Sequence, residues 1–313
     1  MEMDLAPFFG NVFDGLLFGY NAILSSMGIF VWLHNKKNWA QKGASRVLIQ
    51  ALAKCWLDIG LVVGILLTAM GAMGLVYYGD ADLEYLYAVM PILLGTFLWG
   101  GIITGLGYCL FDKDLEIDYT LNGIHLIIGI LLIAFIFMEQ ASATRIPLIE
   151  FFTNSEALYC FFGIFVMIAL FSLRSGKPAV VVLADANLVA TLGGMAMGIS
   201  FWFIEGADYE ASRDAIYLIA NILMYGSLSY LLIYLCSLLT NTAAYCNYQT
   251  KSWHFAEASA FFLFLVYAPV GTTEYLRESY DQAALQDQHE AQQLEINQLK
   301  AQIKLLTEKV GEV

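Results

Sequence analysis

Apolar residues in this chain fall in eight blocks, at about 12–33, 56–78, 86–110, 121–139, 157–173, 187–204, 216–239 and 253–270. Each is long enough to cross a hydrocarbon layer of about 30 Å as a helix. Composition points the same way. Of the 313 residues, 59% are hydrophobic and only 14% charged, with a mean hydropathy of +0.65, whereas soluble domains carry about 25% charge. The expectation is an all-α, polytopic membrane protein of about eight transmembrane helices.

Several classes are excluded early. A net charge of −13 repels phosphate backbones, so nucleic acid is not an expected partner. The N-terminal MEMDLAPFFG carries acids and no basic stretch, so the first span is expected to act as its own insertion signal. The five cysteines (Cys55, Cys109, Cys160, Cys236, Cys246) show no CxxC spacing and read as small buried hydrophobes. His34, His125, His254 and His289 are too scattered for a haem or zinc cage. No cofactor and no metal is expected.

Loop charge sets the expected orientation. Loops after blocks one, three, five and seven hold nine basic residues: Lys36, Lys37, Lys42, Arg46, Lys54, Lys113, Arg174, Lys177 and Lys251. The opposite side has three near the spans, Arg145, Arg213 and Arg277, among a run of acids. The positive-inside rule then puts both termini outside if there are eight spans.

Past block eight, residues 273–313 turn polar and Gln/Glu-rich. Ile296, Leu299, Ile303, Leu306, Val310 and Val313 recur at alternating spacings of three and four, an a/d seam. An external coiled-coil helix that pairs with copies of itself or with a partner is expected here; a helix packed on its own protein is the alternative.

Blocks one to four resemble blocks five to eight. Gly28-Ile29-Phe30-Val31 recurs as Gly163-Ile164-Phe165-Val166, Asp58 as Asp185, and Ala69-Met70-Gly71 as Ala196-Met197-Gly198. Tyr119 and His125 have counterparts in Tyr248 and His254, so all four matches keep their order at shifts of 127 to 135 residues. This predicts two parallel four-span repeats, 1–140 and 141–272, with the tail at 273–313. Parallel repeats do not suggest the inverted architecture of many secondary transporters.

Span two reads Gly64-Ile-Leu-Leu-Thr68-Ala-Met-Gly71, with Gly74 beyond. Span three contains Gly95-Thr96-Phe-Leu-Trp-Gly100-Gly101-Ile-Ile-Thr104-Gly105. Glycines three or four apart let membrane helices approach closely, and Gly194 and Gly198 keep that pattern in the second repeat. The hydroxyls of Thr68, Thr96 and Thr104 either bond back to their own helix or face a wet path.

At these residues the chain resembles the MotA/TolQ/ExbB family, the ion-conducting subunits of flagellar stators and envelope energy-transducing complexes. A G-x-x-G-T-x-x-G-like run is matched by Gly64, Leu67 in place of the second glycine, Thr68 and Gly71. A second run, with paired threonines followed by a glycine, is matched by Gly95 in place of the first threonine, Thr96 and Gly100. Met195 stands where Thr68 stands and Gly226-Ser227 replaces Gly95-Thr96, so the first repeat looks channel-competent and the second structural. The cytoplasmic segment is short, residues 34–55, where the family has a large one. The resemblance covers about a third of the chain. It implies a bacterial inner-membrane protein, a homo-oligomer, and a single-span partner subunit with an intramembrane acid.

Glu257 lies three residues after His254, on the same helix face. It reads either as a proton carrier within the membrane or as an interfacial acid bonded to that histidine. Asp58 and Asp185 sit at the mouths of spans, where a carboxylate caps a helix N-terminus. Tryptophans near span ends read as interfacial belts. No nucleophile–base pair, phosphate loop or HExxH motif occurs, so an enzyme is not expected. The sequence leaves two functions: a subunit that couples proton or sodium flow past Thr68, Thr96, Thr104 and Glu257 to a partner, or a non-conducting membrane scaffold that organises a complex through its spans and coiled coil.

Overall fold

Each apolar block holds a helix in the computed structural model, which describes residues 15–77, 83–144, 146–204, 209–240, 247–260 and 262–263. In chain order these are α1 (Gly15–His34), α2 (Ala44–Tyr77), α3 (Leu83–Leu110), α4 (Gly123–Thr144), α5 (Ser155–Ser172), α6 (Ala179–Ile204), α7 (Tyr209–Leu239) and α8 (248–260). No strand occurs among the described residues. Among the described residues, five segments are long and apolar enough to cross a membrane: Ala44–Gly74, Leu93–Leu110, Ser155–Ser175, Ala179–Phe201 and Asp214–Leu239. A shorter apolar helix spans Gly123–Glu139. The coiled-coil residues from Ile296 to Val310 lie outside the described residues.

Local chemistry sets the helix ends. The Asn154 side chain accepts the Ala157 N–H at 3.0 Å to cap α5. Asn122 Oδ1 does the same for the His125 N–H of α4, at 2.9 Å. Gly43, at φ +83°, separates a helical turn over Trp39–Lys42 from α2. Trp32 and Trp39 close that turn by stacking at 4.4 Å, with Trp32 Nε1 donating to the Ala44 carbonyl at 2.9 Å.

α2 is the hub: it packs on α1, α3, α4 and α7. Its side chains from Leu57 to Met70 are buried almost without a break. At 34 residues it runs about 51 Å, well beyond a hydrocarbon thickness. α5 is the reverse case. Val166, Met167, Leu170 and Phe171 are all exposed, an apolar face of the kind that lipid or another chain covers.

The helix starts differ from the sequence expectation at both acids. α2 begins at Ala44 and α6 at Ala179, so neither Asp58 nor Asp185 caps a helix. The polar residues Arg46, Gln50 and Lys54 hide the extension of α2 from hydropathy, and long-range partners hold them inside it.

Candidate functional site

The α2–α3 seam is built from small residues on both helices. A Cβ on Gly64 would stand 2.8 Å from the Thr96 carbonyl oxygen and 2.9 Å from the Gly100 Cα. One on Gly100 would meet the Gly60 carbonyl oxygen and the Gly64 Cα, each at 3.0 Å. Further along, Gly107 lies against the Leu57 nitrogen and the Ala53 carbonyl, at 2.7 and 2.8 Å on the same measure. Backbone therefore rests on backbone over about three turns. At the other end Gly71 meets the Leu93 side chain, and Gly74 and Gly95 are buried.

Thr68 and Thr96 face each other within this seam, Oγ1 to Oγ1, at 2.9 Å. One hydroxyl donates its single proton to the other. The accepting one donates to a carbonyl of its own helix, Gly64 at 2.8 Å from Thr68 Oγ1 or Leu93 at 2.9 Å from Thr96 Oγ1. Both are buried, and so is Thr104, whose hydroxyl lies 3.4 Å from the Trp56 carbonyl. Back-bonding of this kind satisfies a hydroxyl without water. Glu257 lies elsewhere, on α8 and exposed, with its Oε2 3.3 Å from His254 Nδ1.

The second half is packed differently. Gly194 and Gly198 meet the Ile222 and Ile219 side chains rather than a facing backbone. The tight approach there is at Gly226, where an added Cβ would overlap Thr191. Asn187, fully buried, donates to the Gly226 carbonyl at 2.9 Å. Asn187 and Thr191 were not singled out from sequence. Their signal was two polar residues one turn apart inside an apolar block.

A polar cluster at the N-terminal end of α2 gathers Lys54, read from sequence as a loop cation, and Asp58, read as a cap, with Gln50, which sequence reasoning missed. Gln50, Lys54 and Asp58 follow one another at four-residue spacing, which places them on one helix face. Gln50 binds both backbone groups of a single residue: its Nε2 donates to the Asp112 carbonyl at 2.7 Å, and its Oε1 accepts the Asp112 N–H at 2.9 Å. Asn35 repeats the device at Asp118, with distances of 2.5 and 3.1 Å. Arg46 pairs with the Asp112 carboxylate at 2.6 Å, and Lys42 donates to the Glu116 carbonyl. The segment 111–122 is thereby pinned beneath α2. The Arg46 guanidinium, followed by the Asp114 backbone N–H, holds the Asp112 carboxyl below its ordinary range.

Deeper in the cluster, Asp58 Oδ1 accepts Lys54 Nζ at 2.8 Å. Tyr230 of α7 presents its hydroxyl to the Asp58 and Tyr248 carbonyls, both at 2.9 Å, and Tyr234 donates to Cys55 Sγ at 3.6 Å. Asp185, its counterpart in the sequence comparison, is more open and bridges Lys177, at 3.1 Å, and Lys251 of α8. The two aspartates thus have unlike surroundings.

Among the described residues no group of three or more histidine, cysteine or acidic side chains could hold a metal. No protein-family model, no curated protein and no solved structure matches the chain.

Proposed function

We propose that the chain is an oligomeric integral membrane subunit that acts as a scaffold, organising a complex through its spans and its C-terminal coiled coil. The observation that carries this reading is the state of the α2–α3 seam. Glycine backbones meet there without a gap, and the threonine hydroxyls are spent on each other and on their own helix carbonyls. Such a seam stiffens a helix pair and offers water no path. The exposed apolar face of α5 supports contacts with lipid or further subunits.

A second reading keeps the resemblance to the MotA/TolQ/ExbB family: a subunit coupling proton or sodium flow to a single-span partner. It is favoured by one observation, that Thr68 and Thr96 meet across two membrane-length helices. On that reading Glu257, exposed on α8, would face a neighbouring chain.

The decisive experiment is the mass and symmetry of the purified complex, with each co-purifying chain identified and ion flux measured after reconstitution. The scaffold reading expects an assembly that depends on residues 285–313 and carries no flux. A symmetric ring around a single-span, acid-bearing chain, with flux lost in Thr68→Val/Thr96→Val, would overturn it in favour of the second.

A further inference from the structure

Asp58 is the one charged side chain that is fully buried among the described residues. It lies within the membrane-length segment Ala44–Gly74 and is fully enclosed. Its Oδ1 is matched by Lys54, whereas its Oδ2 has no hydrogen-bond partner and no contact with solvent. A buried carboxylate oxygen left unmatched is costly, and ionisable groups at such depth mark sites that handle ions or protons.

The chemistry around Oδ2 selects the ligand. The two nearby carbonyls, of Asp58 and Tyr248, already accept the Tyr230 hydroxyl. The Tyr234 hydroxyl donates to Cys55 Sγ and also lies close enough to the Asp58 carboxyl to interact with it. A hard metal cation needs about six oxygens, and this pocket has one to spare. A proton needs a single acceptor. Lys54 is built to let go: a fifth of its side chain is exposed, and its ammonium lies 5.8 Å from the Phe111 ring at the polar end of the helix.

We propose that Asp58 is a proton-binding site, and that protonation of its carboxylate releases Lys54 toward the basic end of α2. In the step, a hydronium ion gives its proton to the Asp58 carboxylate, forming a neutral acid and one water. Lys54 keeps its charge and exchanges Asp58 for solvent, so the site gains one positive charge. The groups around the carboxyl are Lys54 and Cys55 on α2, Tyr230 and Tyr234 on α7, Tyr119 in the loop after α3, and Tyr248 of α8. Lys54 is the only one of these that carries a charge at neutral pH. The inference does not depend on the scaffold reading: a scaffold or a conductor could equally carry the switch.

The test is infrared difference spectroscopy of the full-length protein in lipid nanodiscs, from about pH 5 to about pH 9, above the range where exposed carboxylates titrate. The expected result is one protonated-carboxyl band per chain that titrates within this window and is missing from Asp58→Asn. In Lys54→Met, which removes the counter-charge, the band should move upward by more than about one pH unit. No titrating band in the wild-type protein would overturn the proposal. So would a band that survives in Asp58→Asn. If Asp58→Asn does not fold, Lys54→Met decides: an unmoved band assigns the proton to another group.

Discussion

Gly64 and Gly100 touch across the α2–α3 seam through their backbones, so that a methyl group on either would stand about 3 Å from the other's Cα. Neither backbone can yield without separating the two helices. The contact explains why the hub helix and its strongest neighbour meet along so much of their length.

Gly64→Ala and Gly100→Ala should therefore each destabilise the protein by roughly 1–3 kcal/mol, the usual cost of overpacking a tight core. Gly101, one residue along, has nothing within 4 Å of an added Cβ. Gly101→Ala should be neutral or slightly stabilising, since alanine favours the helix. Thermal unfolding in detergent of the three variants checks this, and equal effects at Gly100 and Gly101 would count against the seam.

The threonine pair tests packing against conduction. Valine matches threonine in shape, and the acceptor carbonyls belong to helix backbone. Thr68→Val and Thr96→Val should each cost no more than about 1 kcal/mol, in line with interhelical hydrogen bonds in membranes. Assembly, read by size-exclusion chromatography with light scattering, should be unchanged. A collapse of the complex would show that the hydroxyls carry more of the seam than its glycines do.

The amide clamps should control segment 111–122. Gln50→Leu removes two bonds to one loop residue and leaves its part-buried backbone groups to solvent, at about 1 kcal/mol. Asn35→Leu should act in the same way at Asp118. Hydrogen–deuterium exchange should rise across 111–122 in both variants while the α2–α3 seam stays protected.

The pH dependence of that loop follows from Asp112. Its carboxyl is held below the ordinary 3.8, first by the Arg46 guanidinium. A depressed folded-state value contributes stability that is present above the unfolded value and lost as pH falls through the folded one. The protection factor across 111–122, which corrects exchange for its intrinsic pH dependence, should thus be constant above about pH 4 and fall as the pH is lowered further. Asp112→Asn and Arg46→Gln should each show the raised exchange at neutral pH and lose the acid step. An acid step that persists in both variants would locate it at another carboxylate.

Hydropathy made the helices themselves legible, because burying a helix in lipid requires an apolar run of fixed minimum length. It could not show where α2 starts. Arg46, Gln50 and Lys54 look like loop residues until Asp112, Phe111 and Asp58 are brought to them. For the same reason Asp58 looks like a cap at the edge of an apolar block, although about four turns of helix precede it. The glycine spacing in spans two and three pointed to close packing, but Gly60, Gly107 and Gly226 carry as much of it as Gly64 and Gly100 do. Which glycine faces a backbone depends on how two helices are rotated, and one helix's sequence does not encode that.

The sequence by itself determined that this chain is helical and apolar at membrane length, because both properties are local: composition and the period of a single segment decide them. The tertiary structure decided which polar groups are shared. It brought Thr68 to Thr96, Gln50 to Asp112 and Tyr230 to Asp58, pairs separated by 28, 62 and 172 residues. A buried hydrogen bond is satisfied only by a partner in space, so its presence becomes readable once the chain has closed on itself.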